Sequence, residues 1–287
     1  MYKVAILGCE NSHANGFLDA VNNRKIVGDI EFVGVYSDDR AAAEKLHEQF
    51  GVPVMERYDE LVGKVDGVMI TARHGDNHLK YARPYLDSGI PMFIDKPITC
   101  TEDDARVLAR ELRQRRIPVS GGSMCVFAPD VQKLKEIVRT QAHGKVLGGY
   151  LRAPVNMHNP YGDFFFYAQH LVQVAMEIFG FFPRAVQVVP RGDDCTCVLR
   201  YDEYDVVLSF VEGNYLYYAS VSCADAVVGG SYELDGCSDR EVLEYRALFD
   251  EKEQCDLAQF FAPVYVLGAI RRAMDSGREE AMHAEEA

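Results

Sequence analysis

A chain of 287 residues with 48% hydrophobic content can bury the core of one large domain or two modest ones. Thirty basic against 44 acidic side chains give a formal net charge of -14, which repels nucleic acid and anionic membrane; the one dense basic run, "RELRQRR", reads as the solvated face of a helix. Lys3 and Glu10 bracket an apolar run of strand length, too short for a signal peptide or a membrane span, and eight cysteines without C-x-x-C spacing then point to reduced thiols in the cytoplasm.

The first element is the strand Val4 to Leu7, which passes through Gly8 into polar residues and a helical pattern, "VAILGCENSHANGF". A dinucleotide fold places its phosphate turn in this order of strand, glycine and helix. Gly8 supplies the first glycine of a G-x-G-x-x-G turn, whereas Glu10 and His13 hold the other two positions. A carboxylate about 4 Å from a phosphate charge costs on the order of 4 kcal/mol at an effective dielectric near 20. If Glu10 turns away, Asn11, Ser12 and the helix N-terminus remain as donors. The expectation is weakened rather than abolished binding.

Further strands are expected over residues 31–36, 67–71, 91–94 and 118–120. Between them lie three helices: "DRAAAEKLHEQFG" closed by Gly51, "HLKYARPYLDSG" closed by Gly89, and "TEDDARVLARELRQRR" with acidic residues in its first turn. This alternation predicts a doubly wound parallel sheet over residues 1–121. From residue 122 to 287 the pattern changes to a crossing helix "DVQKLKEIVRTQ", an aromatic loop and helix "NPYGDFFFYAQHLVQVAMEIFG", and repeated strands between Ala185 and Asp235. An α+β domain on a mostly antiparallel sheet follows, ended by the helix "FFAPVYVLGAIRRAMDSG" and a frayed "REEAMHAEEA" tail. Helices on one face would leave aromatic and β-branched strands such as "DVVLSF" open to self-association. Cys195 and Cys197 share one face of a strand and are read as buried.

"MFIDKPIT" ends a strand in Asp95-Lys96-Pro97 and delivers an ammonium to the edge where doubly wound folds bind ligands. A lysine there can hold a substrate hydroxyl and help move its proton, or it can be a surface lysine beside a turn. His170, near the start of an apolar helix, is either a packing residue or a second catalytic group.

The order of the glycine turn, "VYSDDRAAAEKL", "VMITARHGDNHLKYARPYLDSGIPMFIDKPIT" and a histidine on a helix ahead of a sheet resembles the glucose-fructose oxidoreductase, inositol dehydrogenase and MocA family. The resemblance implies a Rossmann-type N-terminal domain, an α/β substrate domain, and hydride transfer between NAD(P) and the C–OH or C=O of a sugar- or inositol-like substrate by a homo-oligomer. Thr71, Ala72 and His78 resemble the family's T-P-N-x-x-H element, with alanine for proline and the histidine two residues late; Asp95-Lys96-Pro97 resembles its E-K-P. Lys96 is implied as the catalytic lysine and His170 as the active-site histidine, although both aspartates of the family's pattern are replaced here, by Phe166 and Gln173. His158, Tyr161 and Asp163 are the polar candidates for substrate contact.

At the end of the second strand Ser37 stands where NAD enzymes carry a ribose-binding acid, and Arg40 could hold a 2'-phosphate, which leans toward NADP. Asp38 and Asp39 lean toward NAD, and a serine-capped helix starting near Asp38 is the structural alternative. Glu10 with His13, and His74 with His78, have metal-like spacings, but no third ligand completes either set and no metal is expected. The rival to an oxidoreductase is a catalytically silent ligand-binding or regulatory protein with a degenerate cofactor turn.

Overall fold

Short apolar runs at the start of the chain form five strands: β1 (Tyr2–Leu7), β2 (Ile30–Tyr36), β3 (Gly67–Ile70), β4 (Met92–Asp95) and β5 (Val119–Gly122). They make a parallel sheet in the order β2-β1-β3-β4-β5. Every residue of β3 and β4 is buried, as a sheet covered on both faces requires. The connecting helices are α1 (Ser12–Asn22), α2 (Arg40–Phe50), α3 (Asp76–Ala82) and α4 (Glu102–Arg115). Asp39, not a serine, caps α2 by accepting from the Ala42 amide, and Gly51 ends it at φ 71°. Thr101 caps α4. The segment expected as one helix up to Gly89 is instead α3 followed by a 3-10 turn over Arg83–Ser88, because Pro84 has no N–H to continue the ladder. The strand order reverses between β1 and β3, which opens a crevice at their C-terminal ends.

This is the computed structural model of the chain, with residues 1–251 and 254–283 described. A second sheet starts after α5 (Pro129–Thr140) with β6 (Val146–Val155), a strand whose glycines and proline hid it from the sequence reading. After α6 (Phe165–Phe179) come β7 (Ala185–Arg191), β8 (Asp194–Arg200), β9 (Asp205–Glu212), β10 (Tyr218–Cys223) and β11 (Val227–Ser231). Their order is β11-β10-β6-β9-β8-β7; the β6–β9 pair is parallel and the others are antiparallel. α6 packs on β6 and β9 so closely that a Cβ at Gly149 would lie 2.2 Å from the Phe179 ring. Cys195 and Cys197 are both buried on β8.

The sequence reading also missed α7 (Cys237–Glu251). The chain divides into one unit of Met1–Gly122 with Ser238–Leu257 and another of Ser123–Cys237 with Ala258–Ala287, so the single cut expected after residue 121 omits a returning segment. Val242, Tyr245 and Phe249 of α7 join Val4, Phe17 and Phe93 in the core of the first unit. α8 (Leu257–Ser276) and β12 (Glu280–Ala281) belong to the second unit. β12 pairs with β7, so part of the tail expected to fray is a strand; residues 284–287 of that tail lie outside the described residues. Among the described residues no helix is long and apolar enough to cross a membrane.

Candidate active site

At the C-terminal edge of the first sheet, Gly8 adopts φ 82°, and a Cβ there would lie 2.3 Å from Ala72 Cα. Only glycine allows β1 to turn this close to the chain leaving β3. Thr71 Oγ1 donates to Gly8 O at 2.5 Å and fastens the two strand ends together. Asn11 caps α1: its Oδ1 accepts from the His13 and Ala14 amides at 2.9 and 3.2 Å, and its Nδ2 donates to Thr71 O. Asn11 therefore takes up two of the helix-end amides that an anion would use, while Ser12 is exposed.

Glu10 lies across the strand ends. Its Oε2 accepts from Ser37 Oγ at 2.7 Å and its Oε1 from the Arg73 amide at 2.8 Å. The carboxylate is thus held toward the ends of β2 and β3. Ser37 Oγ also accepts from the Asp39 amide. Asp38 accepts from the Tyr36 and Tyr81 hydroxyls and pairs with Lys80. Arg40 is tied to Glu44 at 3.0 Å and Glu56 at 2.7 Å.

Lys96 is buried at 9% exposure, follows the fully buried Asp95, and precedes Pro97 through a cis peptide bond. Its amide donates to Asp95 Oδ1 at 2.7 Å. From the phosphate turn, His13 brings Nδ1 to 2.8 Å from Asp95 Oδ2, an ion-pair contact that lacks hydrogen-bond alignment. Burial drives the Asp95 carboxyl up, but His13 and Lys96 outweigh it and hold the group below the usual carboxylate range. His78 is fully buried, with Nε2 2.9 Å from Ala72 O and Nδ1 3.1 Å from Ile98 O. Desolvation lowers its pKa, so the ring is neutral and donates to one of the two carbonyls. It braces the loops after β3 and β4. A further carboxyl, Glu241 of α7, is buried in this unit and interacts electrostatically with Asp95 and Lys96. No sequence signal marked it.

In the second unit, His170 of α6 is buried, with Nδ1 2.7 Å from Ser123 Oγ and 3.4 Å from Cys125 Sγ. Gln173, one turn on, accepts from the Ser123 amide at 2.9 Å. A hydroxyl thus orients the imidazole where the resemblance implied a carboxylate, and it fixes the ring without supplying negative charge to an imidazolium. His158 is exposed and paired with Asp193 at 3.2 Å. Tyr161 donates its amide to Asn159 Oδ1, and Asp163 donates its own to Asn159 O at φ 49°. Buried Asn159 organises this loop, a role the sequence reading did not assign.

Neither metal-like spacing forms a ligand pair. Glu10 and His13 face different partners, and both ring nitrogens of His78 are directed at carbonyls. His74, Asp76 and Cys100 do offer ligand atoms within 4.8 Å of one another, although His74 Nδ1 already accepts from the Asp76 amide at 3.3 Å.

These features define a protein with a Rossmann-type unit, whose C-terminal sheet edge carries Gly8, Asn11, Thr71 and Lys96, and an α+β unit carrying a buried histidine. Residues 2–122 match the family model described as "Oxidoreductase family, NAD-binding Rossmann fold". That model is of the Gfo/Idh/MocA type, and the match covers residues 2–122 only. Inositol 2-dehydrogenase of Corynebacterium glutamicum is 26% identical over 148 residues, a match spanning 50% of this chain and 43% of that protein's length. Two solved structures share the fold: myo-inositol 2-dehydrogenase of Lactobacillus plantarum (TM-score 0.85, 13% identity, 98% of this chain and 99% of that one) and scyllo-inositol dehydrogenase of Lactobacillus casei with bound NAD(H) and scyllo-inositol (TM-score 0.83, 14% identity, 98% and 99%).

Proposed function

We propose that this protein is an NAD-dependent oxidoreductase acting on the C–OH or C=O of a small polyhydroxylated substrate of the sugar or inositol class. The observation that carries the reading is the buried Lys96 beside the ion-paired Asp95 at the C-terminal end of β4. A surface lysine beside a turn has no reason to be buried next to a second ionised group. The open φ of Gly8, its close approach to Ala72 and the position of α1 fit a dinucleotide at the β1–β3 crevice. When bound, the dinucleotide supplies the hydride acceptor or donor. Lys96 presents an ammonium to the substrate oxygen; in the second unit His170, oriented by Ser123, is the candidate for a proton-transfer role. The inositol class is taken from the Corynebacterium glutamicum protein's name and from the ligands of the Lactobacillus casei structure.

The lean toward NADP loses its support, because Arg40 is held by Glu44 and Glu56 while acidic Asp38 stands at the end of β2. NAD is the cofactor we propose. The open face of the second sheet carries Tyr150, Val207 and Val198 in one cross-strand row, with Leu147 and Val227 exposed, which supports a homo-oligomer formed through it. Each of the eight cysteines is a free thiol, which supports a reducing compartment such as the cytoplasm.

The test is a fluorescence titration with NADH and NADPH, followed by turnover on a panel of inositols and aldoses. Saturable NADH binding is expected, together with loss of turnover by about 10²- to 10⁴-fold in Lys96→Ala at unchanged NADH affinity. Near-normal kcat/KM in that variant sinks the assignment of Lys96. The silent ligand-binding reading is favoured by one observation, the occupation of the α1 amides by Asn11, and absence of NADH and NADPH binding would select it.

A further inference from the structure

His74 and Asp76 flank Gly75 where the chain leaving β3 enters α3, and Cys100 lies on the loop after β4, immediately before Thr101 caps α4. One ligand atom from each of the three falls within 4.8 Å of the other two. His74 Nδ1 is 3.7 Å from Asp76 Oδ2 and 4.0 Å from Cys100 Sγ. Gly75 permits the approach, since a Cβ there would lie 2.9 Å from Cys100 Sγ and from Pro97 O. Nδ1 accepts from the Asp76 amide at a long 3.3 Å, so it is the ring nitrogen without a proton, and its lone pair is turned toward Asp76.

Nitrogen, sulfur and a single carboxylate oxygen are donors that zinc takes, whereas magnesium and calcium call for oxygen throughout. At tetrahedral angles and zinc–ligand distances of about 2.0 to 2.3 Å, such donors stand about 3.3 to 3.6 Å apart. His74 is therefore within about half an ångström of the required separation from both Asp76 and Cys100. The His74 and Asp76 side chains are partly exposed, so they can turn to close the site and leave its fourth position to water.

We propose that His74, Asp76 and Cys100 form a zinc site that ties the loop after β3 to the loop after β4. Burial first, and the Asp76 charge next, push the Cys100 thiol up to about 12, so it keeps its proton until the metal arrives. On binding, the S–H bond breaks, the proton passes to solvent and a sulfur–metal bond forms, with nothing oxidised or reduced. Thiolate and carboxylate then balance the dication, and His74 binds as the neutral imidazole. The two loops also carry Ala72 and Lys96, so zinc restrains segments of the sheet edge. The inference does not rest on the oxidoreductase reading.

The experiment reads the metal by itself. Reduced, metal-free protein is titrated with cobalt(II), which accepts the donors that zinc takes and has visible bands that zinc lacks. The parent is expected to bind one equivalent with a sulfur-to-cobalt charge-transfer band, and excess zinc should bleach it. Cys100→Ser should abolish the band, and His74→Ala should weaken cobalt binding about tenfold or more. Cys255→Ser, at an exposed cysteine outside the cluster, should change neither. A band that survives in Cys100→Ser or is lost in Cys255→Ser overturns the proposal, as does the absence of any band at millimolar cobalt. If circular dichroism shows that Cys100→Ser does not fold, His74→Ala decides: weakened binding supports the site, and binding equal to the parent's overturns it. Should the parent bind metal as expected yet never oxidise a polyol, the functional reading fails while the site stands.

Discussion

At the scale of single residues, the sheet edge is governed by where its carboxylates are held. Glu10 occupies the second glycine position of the turn, but Ser37 and the Arg73 amide draw its charge toward β2 and β3. It still adds negative charge to the crevice at the strand ends where we propose that the dinucleotide binds. Glu10→Gln keeps the volume and removes the charge, so NADH affinity should rise about tenfold, roughly 1.4 kcal/mol, at low ionic strength and by less in molar salt. Equal affinities in both salts would place the carboxylate out of range. Asp95 and Glu241 depend on pH with opposite signs. The Asp95 carboxyl is held low in the fold, so its stabilisation is present above the ordinary carboxylate range and lost as the pH falls through its folded value. Glu241 is pushed up, by burial first and by Asp95 next, so the fold binds its proton more tightly than the unfolded chain does. Stability therefore falls as pH rises from the ordinary carboxylate range toward the folded value. Thermal melts should show Glu241→Gln gaining on the parent between pH 5 and pH 8, whereas the deficit of Asp95→Asn should build up below that interval, as the pH rises through the ordinary carboxylate range, and stay constant across it.

At the scale of elements, α7 matters most to the first unit. Gly67 leaves the space that the Tyr245 hydroxyl and the Phe249 ring fill; a Cβ there would lie 2.3 Å from the hydroxyl and 2.7 Å from the ring. Phe249 also packs at 4.3 Å against Tyr2 and 5.3 Å against Tyr245. Phe249→Ala should cost about 3 to 5 kcal/mol in denaturant unfolding, the range for an aromatic removed from a packed core. A loss below about 1 kcal/mol would mean that α7 is only loosely attached. Local chemistry had already located α2 and α4, because Asp39, Gly51 and Thr101 act on amides and backbone angles within a turn of themselves. β6 escaped because Gly148 and Gly149 interrupt its apolar run; the need for the second glycine lies in α6, where Phe179 leaves no room for a Cβ.

For the molecule as a whole, the second sheet is the surface to test. Val198 pairs with Val207, Val207 with Tyr150 and Tyr150 with Ser220 across four strands, while α5 and α6 pack on this sheet's strands. With Leu147 and Val227 exposed beside this row, sedimentation at micromolar concentration should find an oligomer, and Tyr150→Asp should shift it toward monomer without changing the circular dichroism. A parent that sediments as a monomer counts against assembly through this sheet.

Strand, glycine and helix at the start of the chain, the alternation that makes a parallel sheet, and Asp95-Lys96-Pro97 at a strand end could all be read from residue order, because each is written in neighbouring residues. The paired burial of Cys195 and Cys197 followed from strand alternation for the same reason. Only the tertiary structure decided the direction of Glu10, the replacement of a carboxylate by Ser123 beside His170, and the return of α7 with Glu241 to the first unit. Each depends on a partner brought close by folding. Arg73 is 63 residues from Glu10 and Ser123 is 47 from His170, and hydrogen bonds at that separation leave no periodicity or spacing in the sequence.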